Sequence, residues 1–161
     1  QLEVPMETVV SAARAASETV VLNPAPARPL PPALLSSVDV LVPNRSELAV
    51  LTGVGSEPRD HDQAAGLAAR IEGPSAVVVT LGAEGALVIE DGRVERIPAV
   101  PVEVVDTTAA GDAFCGALAD AVVRGASIVE AAGWATRAAA VACTRRGAQP
   151  SLPSREEVQA L

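Results

Sequence analysis

The sequence predicts an α/β protein with a Rossmann-type layered α/β/α fold, in which a mainly parallel sheet carries an antiparallel hairpin at one edge. Three observations predict it. Short valine-rich runs alternate with helical patterns along most of the chain, as in parallel strands joined by crossover helices. One of these runs, Ala76-Val77-Val78-Val79-Thr80, is apolar almost throughout, as a buried strand must be. Asp91-Gly92 lies between the segments Ala86 to Glu90 and Arg93 to Ile97, a strong two-residue hairpin signal.

The elements can be justified in order. A helix is expected from about Pro5 to Ser17, then a strand at Thr19-Val20-Val21-Leu22. The prolines of Asn23-Pro24-Ala25-Pro26-Ala27-Arg28-Pro29 exclude helix and central strand, so this segment is an extended loop. A short helix at Pro32 to Ser36 leads into a strand at Val38-Asp39-Val40-Leu41-Val42. Helices follow near Ser46 to Leu51 and Gln63 to Ile71, the second preceded by a cap-like Asp60-x-x-Gln63. After the buried strand and the hairpin, Phe114, Ala117, Leu118, Ala121 and Val122 fall at helical spacing on one face, and Gly125 ends that run. Ser127-x-x-Glu130 is a capping box opening an alanine-rich helix to about Cys143, and Ser154-x-x-Glu157 opens a last short helix. No repeat, low-complexity stretch or linker interrupts the chain, so a single domain spanning residues 1–161 is expected.

Composition narrows the function classes. At 161 residues and 49% hydrophobic, the chain is long enough to bury a real core. Its net charge is -8, and all 12 basic residues are arginine, which offers no basic stripe for nucleic acid or for an anionic membrane. No apolar run approaches the length of a membrane span, and the first residues lack the features of a signal peptide, so the cytoplasm is the expected compartment. Cys115 and Cys143 are far apart in apolar helical surroundings and read as buried thiols. The lone His61 reads as a solvated residue at a helix start.

The most informative segment is Asp106-Thr107-Thr108-Ala109-Ala110-Gly111-Asp112-Ala113-Phe114, which joins the apolar run Val102-Glu103-Val104-Val105 to a helix. The first N–H groups of a helix lack intrahelical partners and carry the positive end of its dipole, so a phosphate can dock there unless a side chain blocks it. Ala109, Ala110 and Gly111 leave that backbone uncovered. Asp112 then stands where a hydroxyl attacking the phosphate would lose its proton. The dipole should keep Asp112 ionised and weakly basic, which suffices when the proton leaves late in a loose phosphoryl-transfer transition state. Read by itself, Asp112 is equally a favourable acid at a helix start.

Three further constellations are each ambiguous alone. Asn44 and Glu47 in Pro43-Asn44-Arg45-Ser46-Glu47 have the spacing of a capping box, and also suit a phosphate and Mg²⁺ site in which a carboxylate holds the ion through water. Thr80-Leu81-Gly82-Ala83-Glu84-Gly85 is either a plain turn after a strand or a glycine loop for a nucleotide phosphate. Thr144-Arg145-Arg146-Gly147-Ala148-Gln149-Pro150-Ser151 reads as a charged helix exit, with cations complementing the dipole.

In their order and spacing, Asn23-Pro24-Ala25-Pro26-Ala27-Arg28, Pro43-Asn44-x-x-Glu47, Thr80-Leu81-Gly82-x-x-Gly85, Asp106 to Asp112 and Arg146-Gly147-Ala148-Gln149-Pro150-Ser151 resemble the ribokinase family of carbohydrate kinases, from Gln1 to Leu161. The resemblance implies ATP-dependent phosphorylation of D-ribose at its 5-hydroxyl, with Asp112 as base and Ala109, Ala110 and Gly111 as anion hole. It implies that Asn44 contacts ATP phosphates, that Glu47 orders Mg²⁺ through water, and that Thr80, Leu81, Gly82, Ala83, Glu84 and Gly85 cradle the nucleotide. Thr136 falls at an adenine-contacting position and Glu3 at one that reaches the sugar. A monovalent cation, usually K⁺, is implied beside the anion hole, on carbonyl oxygens of Asp106, Thr108, Ala142, Arg145 and Gly147, with Ser151 contributing. Ala109 departs from the glycine that many relatives carry there. The resemblance further implies that the chain is the C-terminal half of the family sequence, lacking the N-terminal half with its lid and most sugar-recognition residues. The family dimerises through that lid. Another sugar or nucleoside kinase, or a catalytically silent nucleotide-binding fragment, stays open as an alternative.

Overall fold

The computed structural model describes residues 1–161. Its elements are α1 (Met6–Ala15), β1 (Val21–Leu22), α2 (Pro32–Leu35), β2 (Val40–Leu41), α3 (Arg45–Thr52), α4 (His61–Ala68), β3 (Ala76–Thr80), β4 (Ala86–Glu90), β5 (Arg93–Ile97), α5 (Ala110–Val123), α6 (Ile128–Cys143) and α7 (Arg155–Ala160), with 3-10 turns at Gly82–Glu84 and Gln149–Ser151. The strands form one five-stranded sheet in the order β1-β2-β3-β4-β5. β1 and β2 run parallel with Val21 opposite Val40, and β2 and β3 run parallel with Val40 opposite Ala76. β4 and β5 form the hairpin at the edge. Its turn residues Asp91 and Gly92 have φ of 50° and 73°, the paired positive values that let a two-residue turn match the twist of its strands.

Internal contacts divide the chain into two compact units, Gln1–Leu81 with Leu87–Glu95, and Gly82–Ala86 with Arg96–Leu161. In the first, Leu22, Leu34, Leu41, Leu48, Val77, Val79 and Leu87 form the buried core, to which α1 contributes Met6, Val9, Val10 and Ala13 from one face. Each fully buried leucine contributes about 2 kcal/mol of transfer free energy. Both α3 and α4 pack on β3. In the second unit α5 lies along α6, burying Phe114, Leu118 and Ala121 from one helix and Ala131, Ala135, Ala138 and Ala142 from the other. Ser127 and Ser154 close capping boxes with Glu130 and Glu157 at the starts of α6 and α7. No helix is long and apolar enough to cross a membrane.

Several boundaries differ from the sequence reading for identifiable reasons. β1 and β2 are shorter than expected; at the start of β1 the Val20 N–H donates to the Asp39 carboxylate at 2.7 Å, while its carbonyl accepts from Val40 N–H at 3.1 Å. α4 begins at His61 because Asp60 is its N-cap, accepting from Gln63 N–H at 2.8 Å. His61 is therefore half-buried at a first-turn position and not fully solvated. Cys115 and Cys143 form no disulfide and are only partly buried. The run from Val102 to Val105 forms no strand, and Val104 is 60% exposed.

Candidate functional site

Parallel strands direct their C-terminal ends to one edge of a sheet, where ligands of open α/β folds bind. β2 and β3 end together. Thr80 N–H donates to the Pro43 carbonyl at 2.9 Å, and Asn44, past the end of β2, forms a parallel bridge with Thr80, the last residue of β3. Asn44 is thereby placed beside Thr80, both in the first unit.

Asn44 is the N-cap of α3. Its Oδ1 accepts from Glu47 N–H and from Ser46 Oγ, each at 2.8 Å, while Asn44 N–H donates to Glu47 Oε2 at 2.8 Å. The capping box is complete. It does not exhaust Glu47, which is only 7% exposed and whose Oε1 makes no hydrogen bond within the chain. Burial pushes the Glu47 carboxyl above its ordinary value, against the opposing pull of Asn44 N–H and the Asn23 carboxamide. A lone buried carboxylate with a free oxygen suits a cation that keeps most of its own waters, which is the Mg²⁺ habit. No cluster of three or more His, Cys, Asp or Glu side chains offers a fuller cage.

Leu81 is buried behind Thr80, and Gly82–Glu84 then form a 3-10 turn closed by Gly85 N–H donating to the Gly82 carbonyl at 3.0 Å. Gly82 and Gly85 have φ of 59° and 91°. Within the second unit, a Cβ on Gly85 would lie 2.0 Å from the Ile97 carbonyl oxygen, so this glycine lets the loop press against the backbone leaving β5. A Cβ on Gly82 would meet nothing within 4 Å. The outer side of the turn, with Ala83 and Glu84, is open.

The start of α5 is built from the carboxylate of Asp106. Oδ1 accepts from Thr108 N–H at 3.0 Å and Thr108 Oγ1 at 2.7 Å, and Oδ2 accepts from Gly147 N–H at 2.9 Å. Those donors, Gly147 first, with the Arg146 charge assisting, hold the Asp106 carboxyl at about 2. Val105 and Asp106 N–H donate to the Cys143 carbonyl at 2.8 and 3.2 Å, which ties the approach to α5 onto the end of α6. Partial burial and the Asp106 charge raise the Cys143 thiol. Ala109 then takes the left-handed conformation, φ 61°, and no side chain caps the helix. A Cβ at Gly111 would also meet open space. Asp112 is exposed in the first turn.

The loop after α6 stands beside this start through the Asp106–Gly147 bond. Neither the Asp106 nor the Gly147 carbonyl oxygen accepts a hydrogen bond, and such oxygens suit a hard cation. The Ala142 carbonyl receives Arg145 N–H at 3.3 Å, while the Arg145 guanidinium pairs with Glu157 of α7. Ser151 is fully buried with its hydroxyl donating to the Ala148 carbonyl at 2.7 Å. Thr136 is 6% exposed, and its hydroxyl is committed to the Ala132 carbonyl at 2.8 Å inside α6. Glu3 is exposed on the segment before α1, whose Leu2 N–H donates to the Ala25 carbonyl at 2.7 Å. Asn23, to which the sequence reading assigned no role, touches both the end of β2 and Glu47. The proline-rich segment beginning at Asn23 was its only signal.

Comparison with known proteins identifies the family to which the chain is similar. A family model described as pfkB family carbohydrate kinase matches residues 3–155. The ribokinase of Haemophilus influenzae is 42% identical over 162 residues, covering 98% of this chain and 52% of its own length. A deoxyribokinase of Salmonella typhimurium is 38% identical, covering 98% of this chain and 53% of its own. Among solved structures, the Arabidopsis thaliana ribokinase complexed with ribose and ATP matches with a TM-score of 0.92 and 34% identity, over 99% of this chain and 53% of that one. The Thermotoga maritima ribokinase matches with a TM-score of 0.89 and 36% identity, over 99% of this chain and 54% of that one. The chain spans about half the length of the curated relatives it matches.

Proposed function

The chain belongs to the pfkB family of carbohydrate kinases, and on that premise we propose that it is the C-terminal, nucleotide-binding and base-bearing portion of a kinase that transfers the γ-phosphoryl group of ATP to the 5-hydroxyl of D-ribose. The observation that carries this reading is the start of α5, an uncapped helix N-terminus with a bare glycine and an exposed carboxylate in its first turn. The Asp112 carboxylate takes the proton of the sugar hydroxyl. That oxygen bonds to the γ-phosphorus as the bond from γ-phosphorus to the bridging oxygen breaks, and ADP leaves with the electron pair. Ala109, Ala110 and Gly111 line the anion hole for the transferred group, whose charge the Ala109 and Gly111 amides stabilise, while the Ala110 N–H donates to the Thr107 carbonyl at 3.2 Å.

Asn44 contacts the nucleotide phosphates, and Thr80 to Gly85 cradle them. Glu47 holds Mg²⁺ through water, and that ion neutralises phosphate charge when bound. Carbonyl oxygens of Asp106, Thr108, Ala142, Arg145 and Gly147, with Ser151, hold a monovalent cation that adds positive potential beside the anion hole. Glu3 reaches the sugar, and Thr136 lines the adenine side through its side-chain carbons. The full kinase is a cytoplasmic homodimer of which residues 1–161 form one domain. Similarity to ribokinases from several organisms, and to one in complex with ribose and ATP, supports ribose as the acceptor.

A phosphorylation assay over pentoses, deoxyribose, hexoses and nucleosides, with and without K⁺, reads the acceptor class. It is run on this chain alone and joined behind the N-terminal half of the Haemophilus influenzae relative. Ribose preferred over every hexose and nucleoside, with stimulation by K⁺, is the expected result. Preference for a hexose or nucleoside would overturn the ribose assignment. The coverage of about half of each relative favours a second reading, a nucleotide-binding portion silent by itself. Activity of the joined protein only is its signature.

A further inference from the structure

The segment Asn23-Pro24-Ala25-Pro26-Ala27-Arg28 takes no part in the reaction as described, yet its first residue touches a carboxylate the reaction needs. A carboxamide has two N–H donors, and both of Asn23's are directed. Nδ2 donates to the Val42 carbonyl at the end of β2 at 2.9 Å and reaches Glu47 Oε2 at 3.4 Å. Both partners are acceptors, so the nitrogen must face them. The other end of the amide, Oδ1, accepts from Gln1 Nε2 at 3.3 Å.

The segment is held on either side of that contact. Pro24 is fully buried, and the Arg28 guanidinium donates to the Leu2 and Val4 carbonyls at 2.6 and 3.2 Å. Asn23 thus presents its second proton from a fixed base. Glu47 needs such a partner, because the bond from Asn44 N–H fixes Oε2 alone and leaves the carboxylate free to swing about that point. A second donor on Oε2, arriving from β1, sets the carboxylate plane and with it the place of Oε1.

We propose that Asn23 is a positioning residue for Glu47, anchored on the Val42 carbonyl and holding the carboxylate so that Oε1 stays in one place for the hydrated divalent cation that accompanies the nucleotide. This rests on the kinase reading above. Groups that orient a metal-binding side chain typically change metal affinity by about 10- to 100-fold when removed. A water-mediated site belongs at the lower end.

The test is Mn²⁺ binding to the 161-residue chain in the presence of ATP, followed by electron paramagnetic resonance. It compares wild type, Asn23→Ala, Glu47→Gln and the double variant. Asn23→Ala is expected to weaken Mn²⁺ about tenfold when Glu47 is present. In the Glu47→Gln background the same change should cost less than about twofold, since the two residues act as one unit. An equal loss in both backgrounds would mean that Asn23 merely ties β1 to β2, and would overturn the proposal. So would a normal Mn²⁺ affinity in Asn23→Ala beside a weakened one in Glu47→Gln, or equal affinities in wild type and Glu47→Gln. In these cases nucleotide binding persists and the kinase reading stands. A wild-type chain that binds no ATP would instead remove that reading and this one with it. Asn23→Ser, which keeps a polar group at the site, carries the same expectation should the alanine variant fail to fold.

Discussion

Replacing Gly85 by alanine should damage this protein far more than the same change at Gly82, three residues earlier in the same loop. Both glycines have positive φ, 91° and 59°, where an L-residue costs about 1–2 kcal/mol. At Gly82 that is the whole cost, because a Cβ there meets nothing within 4 Å. At Gly85 the Cβ would lie 2.0 Å from the Ile97 oxygen, 2.6 Å from Ala99 nitrogen and 2.8 Å from the Pro98 carbonyl carbon. All three are backbone atoms and cannot rotate away, so the loop or the segment after β5 must shift, which adds the roughly 1–3 kcal/mol of an overpacked site. The sum is about 2–5 kcal/mol at Gly85 against about 1–2 at Gly82. With a urea m-value of about 2 kcal/mol/M, the unfolding midpoint should fall by about 1–2.5 M for Gly85→Ala and by about 0.5–1 M for Gly82→Ala. Equal midpoints for the two variants at unchanged m would refute the assignment of Gly85 as a close-approach glycine.

Two further expectations concern the start of α5 and the helix behind it. The Asp106 carboxyl, at about 2 against an ordinary 3.8, is depressed in the folded state, so its bonds stabilise the fold fully above pH 3.8 and are lost as pH falls through about 2. Carboxyl ¹³C shifts should titrate near 2, with the Gly147 amide following. A midpoint near 3.8 would break the link between them. Ser127→Ala removes the hydroxyl that Glu130 N–H donates to at 3.3 Å, and should cost about 1 kcal/mol, or about 2–4 °C in Tm. Loss of the same hydroxyl should let the Glu130 carboxyl rise from its lowered value toward the ordinary one, which carboxyl shifts in the variant would show.

Features carried by contiguous residues were legible in the sequence. The buried strand Ala76–Thr80, the hairpin at Asp91-Gly92 and the boxes at Ser127 and Ser154 all rest on near neighbours. Strand ends were less legible, since alternation of Val with polar residues does not tell that the Val20 N–H goes to a side chain 19 positions on. The same limit governed the site. Asn44-x-x-Glu47 was readable as a cap or as a metal site, and the structure completes the cap while leaving Oε1 over, so the two readings do not compete. Thr136 carried no local sign that its hydroxyl would turn back onto Ala132. The bonds from Gly147 to Asp106 and from Asn23 to Glu47 join residues 41 and 24 apart, separations that no local pattern encodes.

The role given to Asp112 is open to one decisive rate measurement. Phosphoryl transfer from ATP to D-ribose is compared in the joined protein and in its Asp112→Asn variant, with ATP affinity determined on both. A general base of this kind contributes about 10²- to 10⁴-fold, so transfer should fall by at least about a hundredfold while ATP affinity stays within about threefold. Transfer within tenfold of the parent rate would mean that the carboxylate at the start of α5 is a helix-start acid only, and that the proton leaves by another route.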